Sequence, residues 1–230
     1  MAGERHIHRL SPLACGVTQL GGPRMKRAAF YLILAMTLIL SGTALAQGDS
    51  SYYFVTYYSN ANTTGAPDGT VRAINDGDTG ANLWASIYVF DDSQEMNECC
   101  SCAITPDGLL SEDVNLNLTS NTLTGRFPKR GAIKIISSSV QATGPAGYFN
   151  YTDPTDFVNS PVPGLRVWAT HVQSGNNTGG GGFSVTEDQV ADSNLASSEQ
   201  DLLQTLCFYI AWLGSGNYGI CTCTPEDNDF

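Results

Sequence analysis

Cysteine placement constrains this chain more than any other feature. Cys99, Cys100 and Cys102 sit together in NECCSC, Cys207 lies inside a helical pattern, and Cys221 and Cys223 form CTC near the C-terminal end. The seventh, Cys15, falls among the first 24 residues with no apolar run before it, which does not fit lipid attachment. An even set in an exported chain implies up to three bridges, and six cysteines allow fifteen pairings. Neighbours in sequence pair poorly, because Cα atoms about 3.8 Å apart lie below the usual disulfide separation. The economical solution ties the 99–102 cluster to Cys207 and the tail. Bridges of that reach close loops worth about 4 kcal/mol each in the chain-entropy model. A thiolate site for zinc or copper(I) is the alternative chemistry for such clusters. Export favours oxidation, so the expectation is disulfides, with no metal and no cofactor.

Export is itself legible. Met25-Lys26-Arg27 is a short positive segment, residues 28–40 (AAFYLILAMTLIL) form an apolar core, and residues 41–46 (SGTALA) are a small-residue exit. This is the pattern of a signal peptide over 25–46, cleaved after Ala46. A membrane anchor needs about 20 apolar residues, and this run stops short at Ser41 and Gly42, so no membrane span is expected after cleavage. Residues 1–24 lack an apolar core and are expected to be a mis-assigned start or a leader extension. Residues 47–230 then form a single domain, long enough to bury a core that the bridges reinforce. The expected location is secreted or periplasmic.

Cleavage removes five of the 11 basic residues and one of the 22 acidic ones, leaving six against 21 and a net charge of −15. Nucleic acid and anionic membrane surfaces demand a positive footprint and are excluded as partners.

The mature sequence reads as short strands punctuated by turns. Residues 52–58 (YYFVTYY), 83–90 (LWASIYVF), 132–136 (AIKII), 165–172 (LRVWATHV) and 183–186 (FSVT) are rich in aromatic and β-branched residues, and 114–118 (VNLNL) alternates in strict period two. No periodic helix interrupts them. The expected fold is mainly β, an antiparallel sandwich or barrel. Residues 198–213 are the exception. Ser197 and Ser198 stand in capping-box spacing to Gln200 and Asp201, Leu203, Leu206, Ile210 and Leu213 share a face, and Gly214 and Gly216 end the run. One C-terminal amphipathic helix packed on the sheet is expected, with Cys207 bridging inward to a cysteine of the sheet.

Candidate chemistry is sparse. Asp78-Thr79-Gly80-Ala81-Asn82-Leu83-Trp84 resembles the DTG-x-x-NLW stretch of pepsin-like aspartic proteases, one residue shorter between Gly80 and Asn82. That family needs two aspartates sharing a proton, and a second D-[ST]-G is missing. His171 is the one histidine after cleavage and falls in a predicted strand, where a hydrogen-bonded structural role is expected. G-x-S-x-G is absent, the glycine run 179–182 lacks the Lys-Ser/Thr of a phosphate cradle, and NDGDTG at 75–80 lacks the distal glutamate of a calcium loop. Sequons occur at Asn62, Asn117, Asn150 and Asn176. The loop 144–164 carries Tyr148, Phe149, Tyr151 and Phe157, aromatics suited to stacking on a sugar ring or a protein surface.

The stretches VTYYSNAN, IYVFDDSQEMNECCSC and LTSNTLTG, with a closing helix followed by GSGNYGICTC, resemble a group of small exported bacterial proteins of unassigned activity. The resemblance implies export and one recurrent domain, and brings no catalytic residues. A non-enzymatic extracellular or periplasmic binding or structural module is therefore expected, with a glycan or extracellular protein as partner through the 144–164 loop. A secreted hydrolase using Asp78 is the alternative.

Overall fold

A computed structural model describes residues 52–139, 161–175 and 182–224. They belong to the compact unit Gly48–Phe230. Eight strands form two four-stranded antiparallel sheets. They are β1 (Tyr53–Ser59), β2 (Thr70–Asn75), β3 (Leu83–Asp91), β4 (Met96–Ile104), β5 (Leu109–Asp113), β6 (Arg130–Ser138), β7 (Leu165–Gly175) and β8 (Gly182–Gln189). One sheet has the order β1-β6-β3-β4 and the other β5-β2-β7-β8. There is no closed barrel; the architecture is a sandwich. Alternating residues of both sheets, among them Phe54, Val71, Leu83, Ile87, Ile133, Leu165 and Val167, fill the space between them.

The helix α1 (Ser197–Leu213) lies on the outer face of the first sheet. Its Leu203, Cys207 and Ile210 make a second apolar cluster with Tyr53, Tyr88, Met96, Cys99 and Ile136. The expected capping box is absent: Ala196 is the N-cap residue without a side-chain bond, and Ser197 is already helical. An ion pair from Lys134 of β6 to Glu199 holds the first turn instead, with negative charge at the positive end of the helix. Leu213, expected on the inner face, is exposed.

Two other expectations change. Val114–Leu118 is a π-helical turn and not a strand. V-N-L-N-L fits either period, since Val114 and Leu118 are four apart and both buried. The asparagines decide, because their side chains compete for backbone groups: Asn117 Oδ1 accepts from Asp113 N at 2.8 Å and Asn115 Oδ1 accepts from Asn62 N at 2.8 Å. The cysteine cluster 99–102, outside the strands read from the sequence, is itself the middle of β4.

Strand geometry dictates the pairing of the sulfurs. Successive side chains on β4 point to opposite faces. Cys99 therefore meets the helix and bonds Cys207, with Cα atoms 5.9 Å apart. Cys100 and Cys102 face the core between the sheets and bond Cys221 and Cys223, at 5.2 and 5.5 Å. The tail runs parallel to β4 along its edge, with Cys99 N donating to Gly219 O and Cys221 N to Cys99 O. This pairing covers an edge that would otherwise be open to another strand. Gly219, at φ +79°, allows it: a Cβ there would lie 2.0 Å from Ile210 Cγ2.

Candidate functional site

Two asparagines build one end of the sandwich. Asn60 and Asn62, both in the left-handed region, turn the chain after β1. Asn60 Nδ2 and Ser59 Oγ donate to Val172 O at the far end of β7. Ala61 N donates to Lys129 O, and Asn62 Nδ2 to Pro128 O, which holds the segment before β6 against this turn. On the opposite side the β3–β4 hairpin is closed by Asp91, whose Oδ1 accepts from Ser93 N and Glu95 N. Gly131 brings the two sides together: its Cβ would fall 1.8 Å from Phe90 O.

The space enclosed is an open cleft of about 690 Å³. Asp91, Asp92 and Glu95 line one wall, and Arg126, Phe127, Lys129 and Arg130 the other. Asn60, Asn97, Gln173 and Ser174 add amides and a hydroxyl. Three of the six basic residues left after residue 46 thus stand within five positions of one another at one concavity. Arg130 Nε donates to Asp92 Oδ2 at 2.7 Å, which holds the Asp92 carboxyl below its ordinary range. Arg126 and Lys129 make no ion pair among the described residues. The Phe127 ring beside them is 56% exposed.

The residues singled out from sequence fall elsewhere. All six cysteines are spent in bridges. Among the described residues, the Cys100, Cys102 and Cys223 sulfurs form the one group of acidic, histidine or cysteine ligand atoms close enough to share an ion. As disulfides they offer no thiolate. Asp78 is exposed in the turn between β2 and β3, its N–H donating to Asp76 Oδ1. That turn is organised by Asn75, fully buried, whose Nδ2 donates to Ala81 O and Ile104 O while its Oδ1 accepts from Gly77 N. His171 is buried and stacked on Tyr57 with ring centroids 4.0 Å apart, and its Nδ1 has no hydrogen bond. Asn62 Nδ2 donates to Thr119 Oγ1 and Pro128 O, and Asn117 Oδ1 accepts from Asp113 N. Tyr148, Phe149, Tyr151, Phe157, Asn150, Asn176 and the whole of 1–46 lie outside the described residues.

Two carboxylates are raised by burial. Glu98 is pushed up to about 8 and Glu112 to about 7. Neither lines the cleft. Glu98 Oε1 accepts from Asn121 N at 2.7 Å, and Asn121 Nδ2 in turn donates to Asn217 O and Ile220 O. Glu112 accepts from Thr224 N and Thr224 Oγ1 at 2.7 and 2.9 Å. Both fasten the disulfide-linked tail. Their chemistry is that of struts.

No family model, curated protein or solved structure matches this chain. The cleft is the concavity in which charged, amide and aromatic side chains of this chain meet. Sequence reasoning missed it, although the signal was present: RFPKR holds three of the six basic residues that follow residue 46.

Proposed function

We propose that the protein is exported by cleavage of residues 25–46 and acts as a non-enzymatic binding module. Its ligand is an acidic glycan, and its binding surface is the cleft between the β3–β4 hairpin and the RFPKR segment. The observation that carries this reading is the placement of Arg126 and Lys129, which make no ion pair among the described residues, beside an exposed Phe127 in a protein otherwise dominated by carboxylates. Cations on a concave site attract an anion and bond it with charge assistance. The amides and hydroxyls suit sugar hydroxyls, and an exposed ring suits the face of a pyranose. Three disulfides fit the oxidising surroundings in which extracellular polysaccharide is met. The resemblance to small exported bacterial proteins agrees with this location.

Hydrolysis is not part of the proposal. Asp78 is exposed, and the sequence holds no second D-[ST]-G to share its proton. In the cleft, Asp91 is occupied by backbone N–H groups and Asp92 by Arg130, so neither is poised as a general acid.

Calorimetric titration with an oligouronate and a neutral oligoglucan tests the reading. Binding of the uronate alone, weakened at least tenfold in R126A/K129A and in F127A, is the expected result. Binding that ignores these substitutions and disappears in Y148A/F149A/Y151A would move the site to the 144–164 loop. No binding of either sugar would refute the glycan reading.

A further inference from the structure

The helix α1 is apolar on two sides. One side, with Leu203, Cys207, Ile210 and Ala211, is buried against the first sheet. At 100° per residue, Leu202, Thr205, Phe208, Tyr209, Trp212 and Leu213 occupy a separate arc of about 140° facing away from it, with Ser198 and Asp201 in the same arc at its N-terminal end. The five large side chains of that arc, with Tyr218 just past the helix end, each leave between 50% and 68% of their surface open. A soluble helix ordinarily presents polar residues on this side. From Leu202 to Thr224 the sequence contains no charged residue. A contiguous apolar patch of this kind marks an interaction surface.

We infer that this face is the interface of a homodimer, the occupant of each patch being the same helix of a second copy. Charge selects that occupant. Two copies of an acidic chain repel each other, and a face whose one carboxylate, Asp201, stands in the first turn lets them meet with few opposing like charges. The area agrees: the exposed parts of four aromatic rings and two leucines amount to roughly 600 Å², close to the ~800 Å² that each partner gives to a standard interface. The pattern is self-complementary as well. The row Thr205–Tyr209–Leu213 and the row Phe208–Trp212 are i, i+4 ridges with a groove between them, and such ridges interdigitate with their own copies at about −50°. Thr205, the small member, admits the partner's rings. A two-fold axis through this region makes the contact isologous and closed. The face is held rigid by the Cys99–Cys207 bridge beneath it and by the Lys134–Glu199 ion pair at its start.

This inference is independent of the cleft, which lies on other elements. Sedimentation equilibrium of the oxidised protein between micromolar and millimolar concentration is the test. The expected result is a monomer–dimer equilibrium that tightens as salt screens the acidic charge, with dissociation constant raised at least 100-fold in W212E and in F208E, and unchanged in R126A/K129A. Because the substituted side chains point outward, both variants are expected to fold, and the absence of free thiols under denaturing conditions verifies that all three bridges have formed. A wild-type protein monomeric throughout this range overturns the inference. So does a dimer indifferent to W212E and F208E, or a monomer that floats with neutral phosphatidylcholine vesicles, which assigns the face to lipid.

Discussion

Removing disulfides one pair at a time exposes a property that sequence separation conceals. Cys102–Cys223 spans 121 residues, and taken alone such a loop is worth about 4.7 kcal/mol in the chain-entropy model. In the folded pattern, however, Cys100–Cys221 already joins the same two segments two residues away. With that bridge in place, Cys102–Cys223 closes a ring of about six residues, for which the same expression gives about 2 kcal/mol. Cys99–Cys207, added to the other two, closes a ring of about 17 residues through Cys221 and is worth about 3 kcal/mol. Loss of all three opens a loop of over 100 residues and both smaller rings, a total of about 10 kcal/mol. That equals the whole stability of many domains. The expected outcome is that C102A/C223A and C99A/C207A remain folded, less stable by about 2 and 3 kcal/mol plus a similar packing loss in each, while the six-alanine variant is unfolded. Guanidinium denaturation of the oxidised proteins, read by fluorescence, measures this. A cost near 5 kcal/mol for C102A/C223A, greater than that of C99A/C207A, would refute the nesting argument.

The buried carboxylates set a pH dependence. Folded-state values near 8 for Glu98 and 7 for Glu112 exceed the unfolded value of 4.5, so the folded state binds protons better. The associated stability is full below about pH 4.5 and is lost as pH rises through 7 and 8. Between pH 5 and 8 this amounts to about 3 kcal/mol for Glu98 and slightly less for Glu112. Thermal melts are expected to fall over that window, and E98Q/E112Q is expected to flatten the profile; a wild-type melt that rises instead contradicts the assignment. Asn75→Ala removes three hydrogen bonds, one buried and two part-buried, under the β2–β3 turn and is expected to cost about 3 kcal/mol in denaturation, whereas Asp78→Ala, on the exposed tip of the same turn, stays within about 0.5 kcal/mol. Gly131→Ala forces a Cβ onto Phe90 O and is expected to destabilise the protein by more than about 3 kcal/mol and to weaken uronate binding, measured by melting and by calorimetry.

Much of the fold was written locally. Residues such as those of β1, β3, β6 and β7 carry β-branched and aromatic side chains whose pattern needs no partner to be read, and α1 announces itself by its period and its terminal glycines. The clustering of the cysteines and the expectation of export likewise belong to the sequence. Where two periods fit, as in Val114–Leu118, local pattern failed, because asparagine hydrogen bonds to Asp113 and Asn62 chose between them. The strand β2 (TVRAIN) was missed because its buried face is Val71, Ala73 and Asn75, and only the sheet makes a buried asparagine intelligible. Disulfide connectivity required the register of β4 beside the tail, since alternation on a strand is what sends Cys99 to the helix and Cys100 and Cys102 to the core. The cleft joins the turn after β1, the β3–β4 hairpin, residues 124–130 and the end of β7, segments more than a hundred residues apart at their extremes that meet only when the sheets pack. Sequence alone decided that the chain is β-rich, acidic and cross-linked; burial and register, which depend on every strand at once, decided where its charges and sulfurs meet.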